Sequence, residues 1–285
     1  MNHPDVTETG RRLSSWDETV SMPFSWPSLT ETHIRCHQPG KAQDVFPLFN
    51  AEECSSSMDL AWQLFANDQF PVWSSILVAR QNQGRGQFRR KWRSPEGNLY
   101  GSLRLPLPPE EWRPLTPLLI AGSIHGILVS LGVSAELKWP NDILVYRKKV
   151  GGILIEQRSE TLIVGIGLNL VSAPSMDELP EHAAIQAGFL GEFGIFLSPL
   201  DLWTQIVQAI YRDLPEQSSG KRVTNYVKQF ENHMAFIGEN VVFDTHDEKD
   251  LPAIVLGLDN KGGIRLKTAD GERTLYSGRV TSRIC

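Results

Sequence analysis

At 285 residues, 41% hydrophobic and 21% charged, the chain is long enough to bury a substantial core and has the composition of an ordinary globular protein. Its formal net charge of -5 argues against a general nucleic-acid coat, so any basic cluster should serve a local site. It has no run of about 18 apolar residues and no charged-then-apolar leader; Cys36, Cys54 and Cys285 form neither a CxxC pair nor a metal spacing, which points to a cytoplasmic chain without a disulfide framework.

Residues 1–47 are rich in Ser, Thr, Pro and His and show no helical or strand period, so they read as an arm with no independent fold. Ordered structure is expected from about Phe49. "SSSMDLAWQLF" predicts a helix from about Met58, with Ser as N-cap and Asp59 in its first turn. "WSSILVAR" and "NLYGSLRLP" predict strands that enter and leave the segment Gln81–Ser102, "QNQGRGQFRRKWRSPEGNLYGS". "TPLLIAGSIHGILVSLG" predicts a buried helix whose Gly122 and Gly126 allow close packing, with His125 as a core residue. "DILVY", "GGILIEQ" and "TLIVGIGLNL" read as an antiparallel meander, and two amphipathic helices follow. From Gly238 the short strands around "DNKGG" and "ADGE" predict a small barrel over 237–285.

The basic segment concentrates Arg85, Arg89, Arg90 and Lys91 beside Gly84 and Gly86. Glycines free the backbone to approach a ligand, and guanidinium forks match carboxylate and phosphate oxygens, so the loop suits an anionic ligand. It is neither a Walker phosphate loop nor a dinucleotide fingerprint, and a solvated basic turn or an RNA patch would carry similar residues. A second segment, "LKWPNDILVYRKKVGGILIE", sets Lys138, Asn141 and Asp142 at the mouth of a strand, with Lys149 across the hairpin and Gly152 beyond it. Asp142 is the candidate magnesium ligand, since that ion needs few protein carboxylates when phosphates supply the rest. Third, "GIGLN" puts Gly165 and Gly167 inside a strand, where glycine often marks close approach by a ligand, and Asn169 at its end.

In this order the three segments resemble the signature segments of the biotin protein ligases, and "GLDNKGGIRL…GERTLYSGRVTSRI" is similar to that family's C-terminal SH3-like barrel. The resemblance runs from about Phe49 to the C-terminus. It implies an α+β fold: a mixed, largely antiparallel sheet with helices, of the class II synthetase-like kind, over 48–236, and the barrel over 237–285. It implies an ATP-dependent enzyme that activates biotin as biotinyl-5′-AMP, with magnesium, and transfers it to a lysine of a biotin carboxyl carrier protein. By the same resemblance Lys149 contacts the biotin carboxylate and the α-phosphate, and Arg85 the ligand's anionic part. Ser56, Ser57, Gln81, Gly84, Gly86, Gln87 and Gly152 fall on the biotin side. Arg90, Trp92, Lys138, Asn141, Asp142 and Asn169 fall on the nucleotide side. The apolar part of biotin is expected in a slot lined by the strands carrying Gly152–Ile155 and Gly165–Gly167.

The family's loop reads GRGRxGR, whereas this chain has "GRGQFRR". Gln87 in place of arginine removes a charge-assisted contact worth about 1.5–3 kcal/mol, which should speed ligand escape; Arg89 is a candidate to compensate. Met58 stands where asparagine is frequent in the family. Residues 1–47 do not resemble the winged helix-turn-helix of bifunctional relatives, so a monofunctional type without operator binding is expected, with no membrane association and with a homodimer as an option through a strand edge. Two other readings stay open: lipoate or octanoate transfer on the related catalytic fold, and a non-catalytic sensor of biotin or its adenylate.

Overall fold

The computed structural model describes residues 6–12, 29–36, 43–87, 90–178, 185–215, 223–245 and 248–282; Arg89 and Cys285 lie outside them. The chain divides into two units: Met1–Leu107 with Leu154–Ser172 and Phe196–Arg212, and Pro108–Ile153 with Ala173–Ile195 and Asp213–Cys285.

In chain order the first unit opens with β1 (Val6–Arg12), β2 (Leu29–Cys36), β3 (Asp44–Cys54), α1 (Ser57–Ala66), β4 (Ser75–Gln81) and β5 (Leu99–Leu105). β2 and β3 pair antiparallel from Leu29↔Ala51 to Cys36↔Asp44, so ordered structure begins well before Phe49. The sequence hides them because Pro47 interrupts β3 and the middle of β2 is half-buried on both faces, which erases the two-residue alternation. β3 and β4 are parallel, with Cys54 opposite Gln81 at their C-terminal ends. Parallel neighbours need a crossover, and α1 provides it. Its buried side, including Met58, Leu60, Trp62 and Leu64, packs with Phe49, Phe70, Ile76, Tyr100 and Ile163.

The second unit carries α2 (Thr116–Ser130), β6 (Ala135–Lys138), β7 (Asp142–Val145) and the start of β8 (Lys148–Arg158). α2 is buried on nearly every side, as its sequence predicts. A Cβ at Gly122 would lie 2.6 Å from the Tyr226 hydroxyl, which donates to the Leu118 carbonyl; Gly126 meets nothing within 4 Å, so only the first glycine serves packing. His125 is a core residue whose Nε2 lies 3.1 Å from the Ala135 carbonyl and whose ring centre is 4.2 Å from that of His233. Burial, then repulsion from His233, lowers its pKa.

β8 passes from the second unit to the first between Ile153 and Leu154 and is followed by β9 (Thr161–Leu168). The first unit's strand order is β1-β2-β3-β4-β5-β9-β8. α3 (Pro199–Asp213) lays Trp203 on Gly101 of β5, and the indole Nε1 donates to Ser75 Oγ at 3.2 Å.

In the second unit α4 (Val223–Glu231) precedes β10 (Asn240–Asp244), β11 (Leu251–Leu258), β12 (Ile264–Thr268), β13 (Gly271–Leu275) and β14 (Arg279–Ser282). These five form an antiparallel sheet in the order β13-β12-β11-β10-β14. Its tie to α4 is Glu231: one carboxylate oxygen accepts the Leu258 N–H at 2.6 Å, beside Gly257, whose φ of +139° bends β11. A side chain at 257 would collide with that carboxylate. The architecture is the α+β fold with a C-terminal all-antiparallel module that the sequence predicts.

Candidate active site

Parallel pairing places the functional residues of the first unit. Because Cys54 and Gln81 sit side by side, the helix that starts after β3 presents its first N–H groups to β4's last side chain. Gln81 Oε1 accepts the Ser57 N–H at 2.8 Å, satisfying one of the orphan donors of α1 that the Ser56 side chain does not cap. Gln81 Nε2 donates to Ser94 Oγ at 2.8 Å, and Ser102 Oγ donates to Ser57 Oγ at 2.8 Å. Ser56 and Ser57 are buried. The predicted biotin-side residues Ser57 and Gln81 are thus one hydrogen-bonded cluster at a helix N-terminus, joined by Ser94 and Ser102, and Ser56 is buried beside it as the N-cap of α1.

The basic loop is a short antiparallel ribbon. Trp92 N–H donates to the Gly84 carbonyl and Gly86 N–H to the Arg90 carbonyl, both at 2.8 Å, with Arg85 bridged to Lys91. A Cβ at Gly84 would lie 2.6 Å from the Trp92 carbonyl oxygen and 2.7 Å from Ser94 Oγ; at Gly86 the nearest atom is 3.7 Å away. Gly84 is required for the close approach, and Gly86 is not. Arg85 Nη2 lies 2.5 Å from Asp59 Oδ1 and 3.4 Å from Glu156 Oε1. Arg90 is exposed and Gln87 half-buried.

The two strand glycines do allow close approach, but by side chains of the same unit. A Cβ at Gly165 would lie 2.9 Å from Met58 Cγ, and one at Gly167 would lie 2.8 Å from the Trp92 indole. Met58, set where the family often has asparagine, therefore packs an apolar thioether over β9 and belongs to the core. Asn169 is buried at the end of β9. Next to it, Asn98 Oδ1 accepts the N–H groups of Leu170, Val171 and Ser172 at 2.8, 2.9 and 3.3 Å, and its Nδ2 donates to the Ser172 carbonyl.

In the second unit Asp142 is the centre. Lys138 Nζ lies 2.7 Å from its Oδ2 and Lys149 Nζ 2.5 Å from its Oδ1, with Lys138 and Asp142 buried and Lys149 about one third exposed. The antiparallel registers Lys138↔Asp142 and Asp142↔Gly152 put Gly152 beside the carboxylate. Burial would raise the Asp142 carboxyl, but Lys138 and Lys149 outweigh it and hold the group well below the usual carboxylate range. Burial lowers the Lys138 ammonium, Asp142 opposes that, and repulsion from Lys149 and Arg279 adds to it. Asn141 is turned inward: its Nδ2 donates to the Ile153 carbonyl at 2.6 Å and its own carbonyl accepts the Ile153 N–H at 3.0 Å.

Asp142 is not a ready magnesium ligand. Both oxygens of Asp142 face ammonium groups, and among the described residues no three His, Cys, Asp or Glu side chains group as metal ligands. A single carboxylate already carrying two lysines does not fit a hard dication.

Sequence reading missed Asp59, Glu156, Ser94, Ser102 and Asn98. Asp59 looked like an ordinary first-turn carboxylate; the signal was its position on the helix that the basic loop faces. Glu156 has no sequence signal apart from ending the segment "LKWPNDILVYRKKVGGILIE".

Residues 51–170 match the Biotin/lipoate A/B protein ligase family, and residues 236–281 match the Biotin protein ligase C terminal domain. The Bifunctional ligase/repressor BirA of Bacillus subtilis is 30% identical over 236 residues, covering 79% of this chain and 71% of that protein. The Biotin–[acetyl-CoA-carboxylase] ligase of Paracoccus denitrificans is 27% identical over 221 residues, covering 72% of this chain and 88% of its own. Among solved structures, a biotin protein ligase from Aquifex aeolicus in complex with biotin and ATP aligns with a TM-score of 0.69 at 29% identity, over 82% of this chain and 97% of that one.

Proposed function

The chain belongs to the biotin protein ligase family, and from that premise we propose that it activates biotin with ATP and transfers the biotinyl group to a lysine of a biotin carboxyl carrier protein. In the first half-reaction the biotin carboxylate attacks the α-phosphate of ATP, giving biotinyl-5′-AMP and pyrophosphate. In the second the acceptor lysine attacks the mixed anhydride and AMP leaves.

The observation that carries this reading is the Lys138–Asp142–Lys149 cluster. One buried carboxylate holds two ammonium groups, so the cluster keeps a net positive charge and Lys149, the more exposed member, is fixed where it stands. Bringing two anions together needs preorganised cations, and a cation already fixed by a buried partner loses little on binding. Lys149 is accordingly the residue we assign to the biotin carboxylate and the α-phosphate, with Arg85 as the loop cation. Ser56, Ser57, Gln81, Gly84, Gly86, Gln87 and Gly152 are assigned to biotin, and Arg90, Trp92, Lys138, Asn141, Asp142 and Asn169 to the nucleotide. Residues 48–236 are the catalytic part and 237–285 the C-terminal module. The reaction takes place in the cytoplasm, and a homodimer through a strand edge is the proposed assembly.

Among the described residues no helix is long and apolar enough to cross a membrane. Purified protein with biotin, ATP, magnesium and a carrier domain should shift the carrier by the mass of one biotinyl group. A carrier that stays unmodified with biotin but is modified with lipoate or octanoate overturns the biotin assignment.

A further inference from the structure

Arg85 is held in an arrangement that nothing in the motif foreshadows. Its Nη2 meets two carboxylates: Asp59 Oδ1 from the first turn of α1 and Glu156 Oε1 from β8. Glu156 is itself fixed. Its other oxygen accepts the Trp62 indole N–H at 2.8 Å and lies 3.3 Å from Arg158 Nη2, while the Arg158 guanidinium sits 4.0 Å over the Trp62 ring. One edge of Glu156 is thus set by α1 and by its neighbour on β8, and the other is left for Arg85. Arg85 Nε, in contrast, is buried with no hydrogen-bond partner among the described residues.

A buried donor without an acceptor is unfavourable, and a guanidinium is a planar fork whose donors point in fixed directions. Nη2 carries two hydrogens, and two carboxylates stand at that atom, which leaves the Nη1 end of the fork for an anionic ligand oxygen. We infer that Asp59 and Glu156 are positioning residues: by gripping Arg85 at Nη2 they set the basic ribbon and aim its remaining donors before ligand arrives. This rests on the reading of Arg85 as a ligand contact given above. Asp59 and Glu156 do not touch the ligand themselves, and the two carboxylates hold the arginine in place without competing for the ligand.

The test uses the full chain and the variants Asp59→Asn, Glu156→Gln and Asp59→Glu. Two readouts are taken: steady-state biotinyl-adenylate formation by ATP–pyrophosphate exchange, and trypsin cleavage within residues 85–93 of the ligand-free protein, with thermal unfolding as control. Loss of one charged contact should raise KM for biotin about tenfold with kcat within about twofold, and should speed loop cleavage to a similar degree. Asp59→Glu should restore both. A KM for biotin that falls in Asp59→Asn would mean the carboxylates compete with the ligand, and overturns the inference. So do unchanged KM and unchanged cleavage in both neutral variants, or equal losses in all three variants together with a lowered Tm. If the wild type forms no adenylate, the ligase reading fails, while the proteolysis comparison still decides whether the carboxylates fix the ribbon.

Discussion

The two charged clusters solve opposite problems. In the first unit a single guanidinium, about one third exposed, is shared by two carboxylates on a hairpin ribbon. In the second unit a single buried carboxylate is shared by two ammonium groups at a strand junction. The charge ratio is inverted, and so is the source of rigidity. Asp142 is fixed because burial makes any unpaired state expensive, whereas Arg85 depends on partners that water can replace. A buried cluster keeps its geometry without a ligand, while an exposed loop must be held. The buried cluster can carry a fixed cation, and the ribbon keeps its arginine placed only through its carboxylate partners.

The largest effect should come from breaking the buried cluster. Asp142→Ala leaves the Lys138 ammonium without its partner in a dry site, and urea unfolding should show a loss of about 3–5 kcal/mol. The same carboxyl has a folded pKa below its unfolded one, so its contribution is fully present above about pH 4 and lost as pH falls through the depressed value. Wild type should therefore lose stability more steeply than Asp142→Asn in that acid range, and parallel acid-unfolding curves would remove Asp142 from the account. Lys149→Ala is the complementary change. Pyrophosphate exchange should drop by about 10²–10³-fold, the scale of one preorganised charge donor, while Tm moves little because Asp142 keeps Lys138. Near-normal turnover removes the assigned role of Lys149.

On the exposed side, Gln87→Arg restores the family's loop arginine and should slow escape of biotinyl-5′-AMP from the ligand complex about tenfold, measured by trapping released adenylate. Smallest of all is the surface pair Arg147–Glu239, at 2.7 Å with both partners about half exposed. Glu239→Gln should change unfolding free energy by less than about 1 kcal/mol; a larger change would blur the contrast between buried and exposed pairs.

Much of this was readable in the linear chain, for identifiable reasons. The buried helix Thr116–Ser130, the meander through Leu168 and the short C-terminal strands follow from periodicity and turn residues. Lys138, Asp142 and Lys149 are close in sequence, and a hairpin brings close-in-sequence residues together. β2 and β3 were hidden because a proline and a half-buried face remove the alternation. The Asp59–Arg85–Glu156 cluster was hidden because its members lie 26 or more residues apart, on helix, ribbon and strand. Gly165 and Gly167 suggest close approach by a ligand, but a glycine reports only that something comes near. Here Met58 and Trp92 are what comes near.

Glu231 has a consequence for protein surgery. Its carboxylate is the acceptor for an amide at a bend that only Gly257 allows, so the C-terminal sheet borrows a hydrogen bond from the helix before it. Trp139 makes a similar loan, its indole N–H capping the Gly262 carbonyl at 2.8 Å. Severing the chain at residue 236 would strand both backbone groups. A self-sufficient fragment has to begin upstream of α4, and even then Gly262 would need water in place of the indole.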